Sequence, residues 1–258
     1  MPDKYGHYSG VEFEFRVHAN LGRGTELGTW VVTTRDDAFD TTQVAAALNE
    51  TLRKVWDAGE TDTDGRLIAG LAVACPERIA RSHDCTYPAS TERVALHENY
   101  GDGVPMLSPA LPAPLLDIWR VLDRQYSTDQ PDIFHVDIEN FWRTDDLHWT
   151  YHAGCLYLSD AAGKRGPGTD IDIRVDWIAM PETFSLTSDQ PITRIPRELH
   201  ETIAIGAAWR VAEEIHDDNA DRLHVRYLTA LKSDMRGLRR SVHQPKFMRR
   251  TRALAWER

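Results

Sequence analysis

The chain has 258 residues, 41% of them hydrophobic, which is enough to bury a core in one elaborated domain or two small ones. No apolar run approaches the ~20 residues of a membrane span. The opening M-P-D-K-Y-G-H-Y-S-G lacks the apolar centre of a signal peptide. The net charge of -10 is uneven: residues 232–258 carry nine Lys/Arg against two Asp/Glu, so the rest of the chain is strongly acidic, which speaks against a nucleic-acid-binding face there.

The N-terminal region, 1–39, reads as an arm with short extended segments. Val11, Phe13, Phe15 and Val17 alternate as in a strand, a glycine-rich loop spans 21–28, and 29–34 reads as extended. A helical region with an irregular insert is expected over 40–128. Its first helix occupies 40–58, with Asp40 and Gln43 at capping-box spacing and Val44, Leu48, Leu52, Val55 and Trp56 on one face. Gly59 suits the position just past its end. The apolar run 67–74 fits either a buried strand or one helical turn, and 81–112 is rich in turn formers. A second helix is predicted over 114–125, with Leu115, Ile118, Trp119 and Leu122 on its face.

From 129 to 182 the pattern changes to that of an antiparallel β subdomain. Extended segments cover 133–142 and 147–158. Ile171, Ile173, Val175 and Trp177 alternate with Asp172, Arg174 and Asp176, as in a half-buried strand. The glycine-containing stretch 161–169 reads as the hairpin loop between the last two strands. A linker and a helical hairpin follow over 183–240. Pro196 suits a first helical turn, and Leu199, Ile203, Ala207 and Val211 repeat every fourth residue. Ala204, Gly206, Ala207 and Ala208 are small enough to admit another helix closely. Asp217, Asp218 and Asn219 stop the first helix and cap the second. Leu223, Tyr227, Leu231, Met235 and Leu238 form the second stripe. Residues 241–258 complete the chain as a basic arm. The fold expected is thus α+β: mainly a helical bundle with an inserted small antiparallel β-sheet domain and extended termini.

Candidate chemistry is thin. His148 and His152 would lie about 13 Å apart along one strand at ~3.3 Å per residue, too far to share a zinc ion, and Cys155 has the opposite parity. Cys75, His83, Cys85 and His97 do not have the spacing of a common zinc knuckle. Three cysteines make no disulfide framework and fit a reducing compartment. The stretch A-G-K-R-G-P-G-T (162–169) departs from a phosphate loop, since Lys164 precedes the second glycine and a strand follows. Asp137, Glu139, Asp170, Asp172 and Asp176 are the carboxylates from which a metal-dependent nuclease would be built, but the last three fall on the polar face of their strand, where solvated carboxylates are the simpler reading. No nucleophile or metalloprotease signature is present. The expectation is a protein that is not an enzyme and needs no cofactor and no metal.

The order of elements carries more. The strand I-D-I-R-V-D-W-I-A-M-P (171–181) leads through a linker with Leu186 and Pro191 into I-P-R-E-L-H-E-T-I-A-I-G-A-A-W-R-V-A (195–212). An Asp/Asn/Ala break and R-Y-L-T-A-L (226–231) follow. This succession resembles the head-to-tail adaptor (connector) proteins of tailed bacteriophages. The step Ala47-Leu48-Asn49-Glu50 is similar to one in that family's first helix. The resemblance implies a structural virion protein at the capsid–tail junction, synthesised in the host cytoplasm. It also implies a homo-oligomeric ring of twelve subunits that joins the portal protein to a stopper or tail-completion protein. Genomic DNA would pass through the ring without sequence-specific binding, and an acidic wall would repel its phosphates. The family's C-terminal segments commonly dock on the portal. Here Phe247, Met248, Leu254 and Trp256 would be apolar anchors among Lys246, Arg249, Arg250 and Arg252. The alternatives are another neck protein, a stopper or terminator, which are more often dominated by β structure, and the metal-dependent nucleic-acid-processing enzyme.

Overall fold

The computed structural model describes residues 6–22, 41–88, 91, 93–96, 104–111, 115–124, 132–141, 148–159, 170–181, 183–188 and 190–255, with side chains left out at 41, 132 and from 240 onward. The chain divides into two compact units, a helical one (1–78 and 181–258) and a β one (79–180).

In the helical unit α1 spans Gly10–Asn20, α2 Thr41–Arg53, the single turn α3 Leu71–Ala74, α4 His200–Glu214 and α5 Ala220–Ala255. The expected strand near Val11 is therefore a helix. Its signal is the capping box Ser9-Gly10-Val11-Glu12, whose Ser9 hydroxyl accepts from the Glu12 amide at 3.3 Å. Phe13 and Val17, four residues apart, are its fully buried positions. Helix α2 ends in a π-helical turn, Lys54–Ala58, closed by the Gly59 amide donating to the Lys54 carbonyl at 2.7 Å. Gly59 then takes a φ of +75°, a left-handed-side conformation open to a residue without Cβ. The apolar run 67–74 divides into a short strand that is not buried, Leu67 being exposed, and one helical turn. Leu67–Ile68 is strand β2, paired with β1 (Glu60–Thr61), and Leu71–Ala74 is α3.

The β unit corrects the expected fold class. It is no small antiparallel insert in a helical bundle but a seven-stranded mixed sheet, nearly closed into a barrel. Its strands are β3 (Arg81–Tyr87), β4 (Arg93–Ala95), β5 (Leu115–Asp123), β6 (Asp132–His135), β7 (His148–His152), β8 (Cys155–Leu158) and β9 (Ile171–Ala179). Their order is β3-β9-β5-β6-β7-β8-β4, antiparallel throughout except for the parallel pair β6–β7. Residues 105–111 draw the two ends of that row together. The Thr86 amide on β3 donates to the Ser108 carbonyl, while on the β4 side the Ala95 amide donates to Pro105 and the Leu107 amide to Ala95. The core is apolar and includes Val94, Leu96, Leu107, Val121, Leu156, Ile173, Val175 and Trp177.

Three local expectations fail here for identifiable reasons. The predicted helix over 114–125 is strand β5. Against β9, Leu115 pairs with Ala179, Asp117 with Ile178, Ile118 with Trp177 and Arg120 with Asp176, so β5 holds two extra residues. Each bulge resets the in–out alternation. Leu115, Ile118 and Val121, three apart, consequently all face the core and imitate a helical repeat. The segment 147–158 is a hairpin rather than one strand, turning at Ala153 and Gly154, both with positive φ (48° and 81°), as a type I′ turn requires. The loop 161–169, which lies outside the described residues, does not join paired strands, because β8 neighbours β7 and β4 while β9 neighbours β3 and β5.

Candidate functional site

Helix α4 is the centre of the helical unit, in contact with α1, α2 and α5. Three neighbours around one helix explain its run of small residues. Ala204, Gly206, Ala207 and Ala208 are all buried. A Cβ on Gly206 would stand 2.6 Å from the Thr51 methyl of α2 and 2.7 Å from the Tyr227 ring of α5, so glycine sets how closely the three helices approach. All seven residues assigned to hairpin packing, Leu199, Ile203, Ala207, Val211, Leu223, Tyr227 and Leu231, are buried. The helix begins beyond Pro196 with a 3₁₀ turn, Arg197–Leu199. It stops at His216, a residue with φ of 56°, and the Asp217 carboxylate then accepts from the Asn219 amide at 2.8 Å to start α5.

Two polar clusters secure this packing. In the first, Arg210 on α4 holds three groups at once. Its Nη1 donates to Glu50 at 2.9 Å, its Nη2 to Glu60 at 2.5 Å and its Nε to the Thr51 hydroxyl at 3.1 Å. Glu60 also accepts from the Tyr227 hydroxyl at 3.4 Å, and burial raises that phenol above its ordinary range. The guanidinium lies over Trp209, whose other contacts are the stacked His224 ring (4.0 Å between centroids) and Tyr227. One turn further along α5, Lys232 pairs with Asp62 at 3.2 Å. The backbone amide of Arg66 is the main influence holding the Asp62 carboxyl below its usual range. Thr202 donates to Asp234, whose carboxyl is raised by burial.

The second cluster fastens the N-terminal segment. His200 is fully buried. Its Nδ1 accepts from the Tyr8 amide at 2.9 Å, and its Nε2 faces the Ile195 carbonyl at 3.1 Å, which makes it the neutral tautomer protonated at Nε2. Around it pack the rings of His7, Tyr8 and Phe13. Glu12, 1% exposed, lies in the same region with neither carboxylate oxygen hydrogen-bonded.

The docking-arm residues fare differently. The backbone of 241–255 continues α5, so the helix does not end near Arg240 but carries Lys246, Phe247, Met248, Arg249, Arg250, Arg252 and Leu254. Their side chains, and Trp256 altogether, lie outside the described residues.

In the β unit the metal candidates are engaged elsewhere. His148 is buried, with Nε2 donating to the Phe141 carbonyl at 2.7 Å and Nδ1 facing the Ser159 hydroxyl at 3.0 Å, while His152 is exposed at the hairpin end opposite Cys155. His83 donates to the Pro109 carbonyl at 3.0 Å. The Cys85 thiol is pushed up to about 12 by burial, and His97 is outside the described residues. Asp176 is not a solvated carboxylate: it is buried, accepts from Ser82 at 2.6 Å and is paired with Arg120. Asp172 accepts from Thr86 at 2.9 Å. Asp137, Glu139 and Asp170 are exposed. No group of three or more His, Cys, Asp or Glu is placed to hold a metal ion among the described residues. No helix among them is long and apolar enough to cross a membrane.

Sequence reading passed over the Arg210 clamp and the His200 cluster. The capping box at Ser9–Glu12 was a usable signal for the second. The first had only the Glu50-Thr51 step of α2, with nothing to join it to Arg210. No protein-family model matches the chain, and no curated protein matches it significantly.

Proposed function

We propose that this chain is a structural assembly subunit, specifically a head-to-tail adaptor that joins a portal to a stopper or tail as a homo-oligomeric ring. The observation that carries the reading is the mismatch within the helical hairpin. Helix α4 has 15 residues and α5 has 36, or ~22 Å against ~54 Å at 1.5 Å per residue. With a break of only five residues between them, α5 outruns its partner, and Leu238 is buried near the end of the side chains described for it. Beyond that point the sequence turns basic and aromatic while the backbone stays helical. A helix whose backbone runs past its partner and whose composition changes there is suited to docking on another protein. The acidic remainder of the chain suits a wall along which DNA slides.

Deleting 241–258 is the direct test. The truncated chain is expected to fold, by circular dichroism, and to lose co-purification with the portal. Undiminished portal binding would refute the docking role. Negative-stain images of particles should show a ring between capsid and tail, and absence of the protein from purified particles would refute the adaptor reading itself.

The seven-stranded sheet favours a second reading, a stopper or terminator, because those neck proteins are more often dominated by β structure. Labelled images separate the two by position, the adaptor lying against the portal and the stopper beyond it. The carboxylates of β9 offer no comparable support for a nucleic-acid-processing enzyme, since Asp176 and Asp172 are committed to Arg120, Ser82 and Thr86.

A further inference from the structure

Among the described residues, the buried side-chain polar atoms that lack a hydrogen-bond partner fall in one short stretch. They include both carboxylate oxygens of Glu12 and the Nε of Arg16. Glu12 is 1% exposed, and the reciprocal half of its capping box, a bond back to the Ser9 amide, is not made. Arg16, on its own helix, lies 3.9 Å away and beyond hydrogen-bond reach. The helix cannot easily back away to solvate the group. Gly10 sits so close to the Ser185 carbonyl that a Cβ there would stand 1.9 Å from it, and Phe13 meets Phe184 edge-on at 4.7 Å. A carboxyl in this position is tolerated far better neutral than charged.

We infer that docking of α1 onto α4 is coupled to the uptake of one proton by Glu12, which makes the N-terminal segment a pH-sensitive latch on the helical unit. The groups facing Glu12 fix the direction. The positive charge of the amino terminus and that of the partly exposed Arg16 favour the ionised form, but less than burial opposes it. On α4, Glu201 is bonded to the Tyr8 hydroxyl and paired with Arg226. Also on α4, the His200 Nδ1 accepts from the Tyr8 amide, and the His7 ring meets that of His200 at 5.3 Å. Burial is the largest influence on Glu12, and it raises the carboxyl above its ordinary value of 4.5. A folded-state value raised above the unfolded one gives stability that is complete below the ordinary value and declines as pH climbs through the raised one. The latch is therefore tightest below the ordinary carboxyl value and loosens as pH rises through the raised one.

Hydrogen exchange read by mass spectrometry on the full chain tests this. The peptide covering α1 would be followed from about pH 5 to about pH 8, with intrinsic exchange rates divided out. One coupled proton sets a ceiling of ~tenfold per pH unit on the rise of the opening constant. The expected result is a several-fold rise in the wild type and a flat profile in both Glu12→Gln and Glu12→Leu. The leucine variant covers the case in which the glutamine amide is itself poorly housed. A flat wild-type profile, or a slope that survives in either variant, would overturn the inference. If neither variant folds, the wild-type profile alone decides, measured against peptides from α4 as the internal standard.

Discussion

The two units bury different things. The β unit has an apolar centre in which Trp177, Ile173 and Val175 face Leu156, Val94 and Leu96. Its buried carboxylate Asp176 is held by Arg120 and Ser82, and Asp84 lies exposed between Arg174 and Arg124. The helical unit buries polar groups as well, Glu12, Thr51, His200 and Thr202, but around a core of small residues on α4. Four helices meet there over small residues, and the polar groups drawn in at such close approaches are answered in place, Glu12 excepted. The comparison teaches that both units answer buried polar groups with partners, and that they differ in the core around them, large side chains in the β unit and small residues between close helices in the helical one. Each should fail in its own way.

Trp177→Ala should do the most damage. It removes a side chain 1% exposed from the middle of the sheet core, a change that typically costs about 3–5 kcal/mol. Urea unfolding should show the loss as a lower midpoint. Next comes Arg210→Met, which keeps most of the packing and leaves Glu60, 12% exposed at its side chain, without its main partner. A cost of about 2–3 kcal/mol is expected from the loss of charge-assisted bonds. Adding Glu60→Gln should restore part of it, because the harm lies in the orphaned charge. If Arg210→Met proved harmless, the helical unit would be held by the packing of its helices rather than by the Arg210 cluster. Ser9→Ala should have the smallest effect, about 1 kcal/mol from the lost helix cap of α1.

What was legible in the sequence follows the same division. Amphipathic helices announce themselves, so α2 and the α4–α5 hairpin could be placed from Val44, Leu48 and Leu52 and from the four-residue repeat beginning at Leu199. Strand β9 was equally plain, because it is regular. Strand β5 was misread because two bulges convert its alternation to a spacing of three, and α1 because four apolar residues at alternate positions outweighed one capping box. The order β3-β9-β5-β6-β7-β8-β4 is set by contacts between distant segments, which no local pattern encodes. The docking residues rested on composition at the far end of α5, where the helical backbone continues but side chains are not described. The Arg210 clamp joins residues up to 160 positions apart and leaves no trace in any window of sequence.

The cross-tie formed by 105–111 also bears on how the protein behaves in a crowd. An exposed strand edge is a template on which other chains can add and from which aggregates grow. Here β4 is only three residues long and is already bridged through Ala95, and β3 is bridged at Thr86. The part of β3 left open, 81–85, carries Asp84 with Arg174 and Arg124 held against it, and burying that charge would penalise an incoming strand. Many copies of this chain could therefore accumulate at high local concentration without their sheets fusing edge to edge.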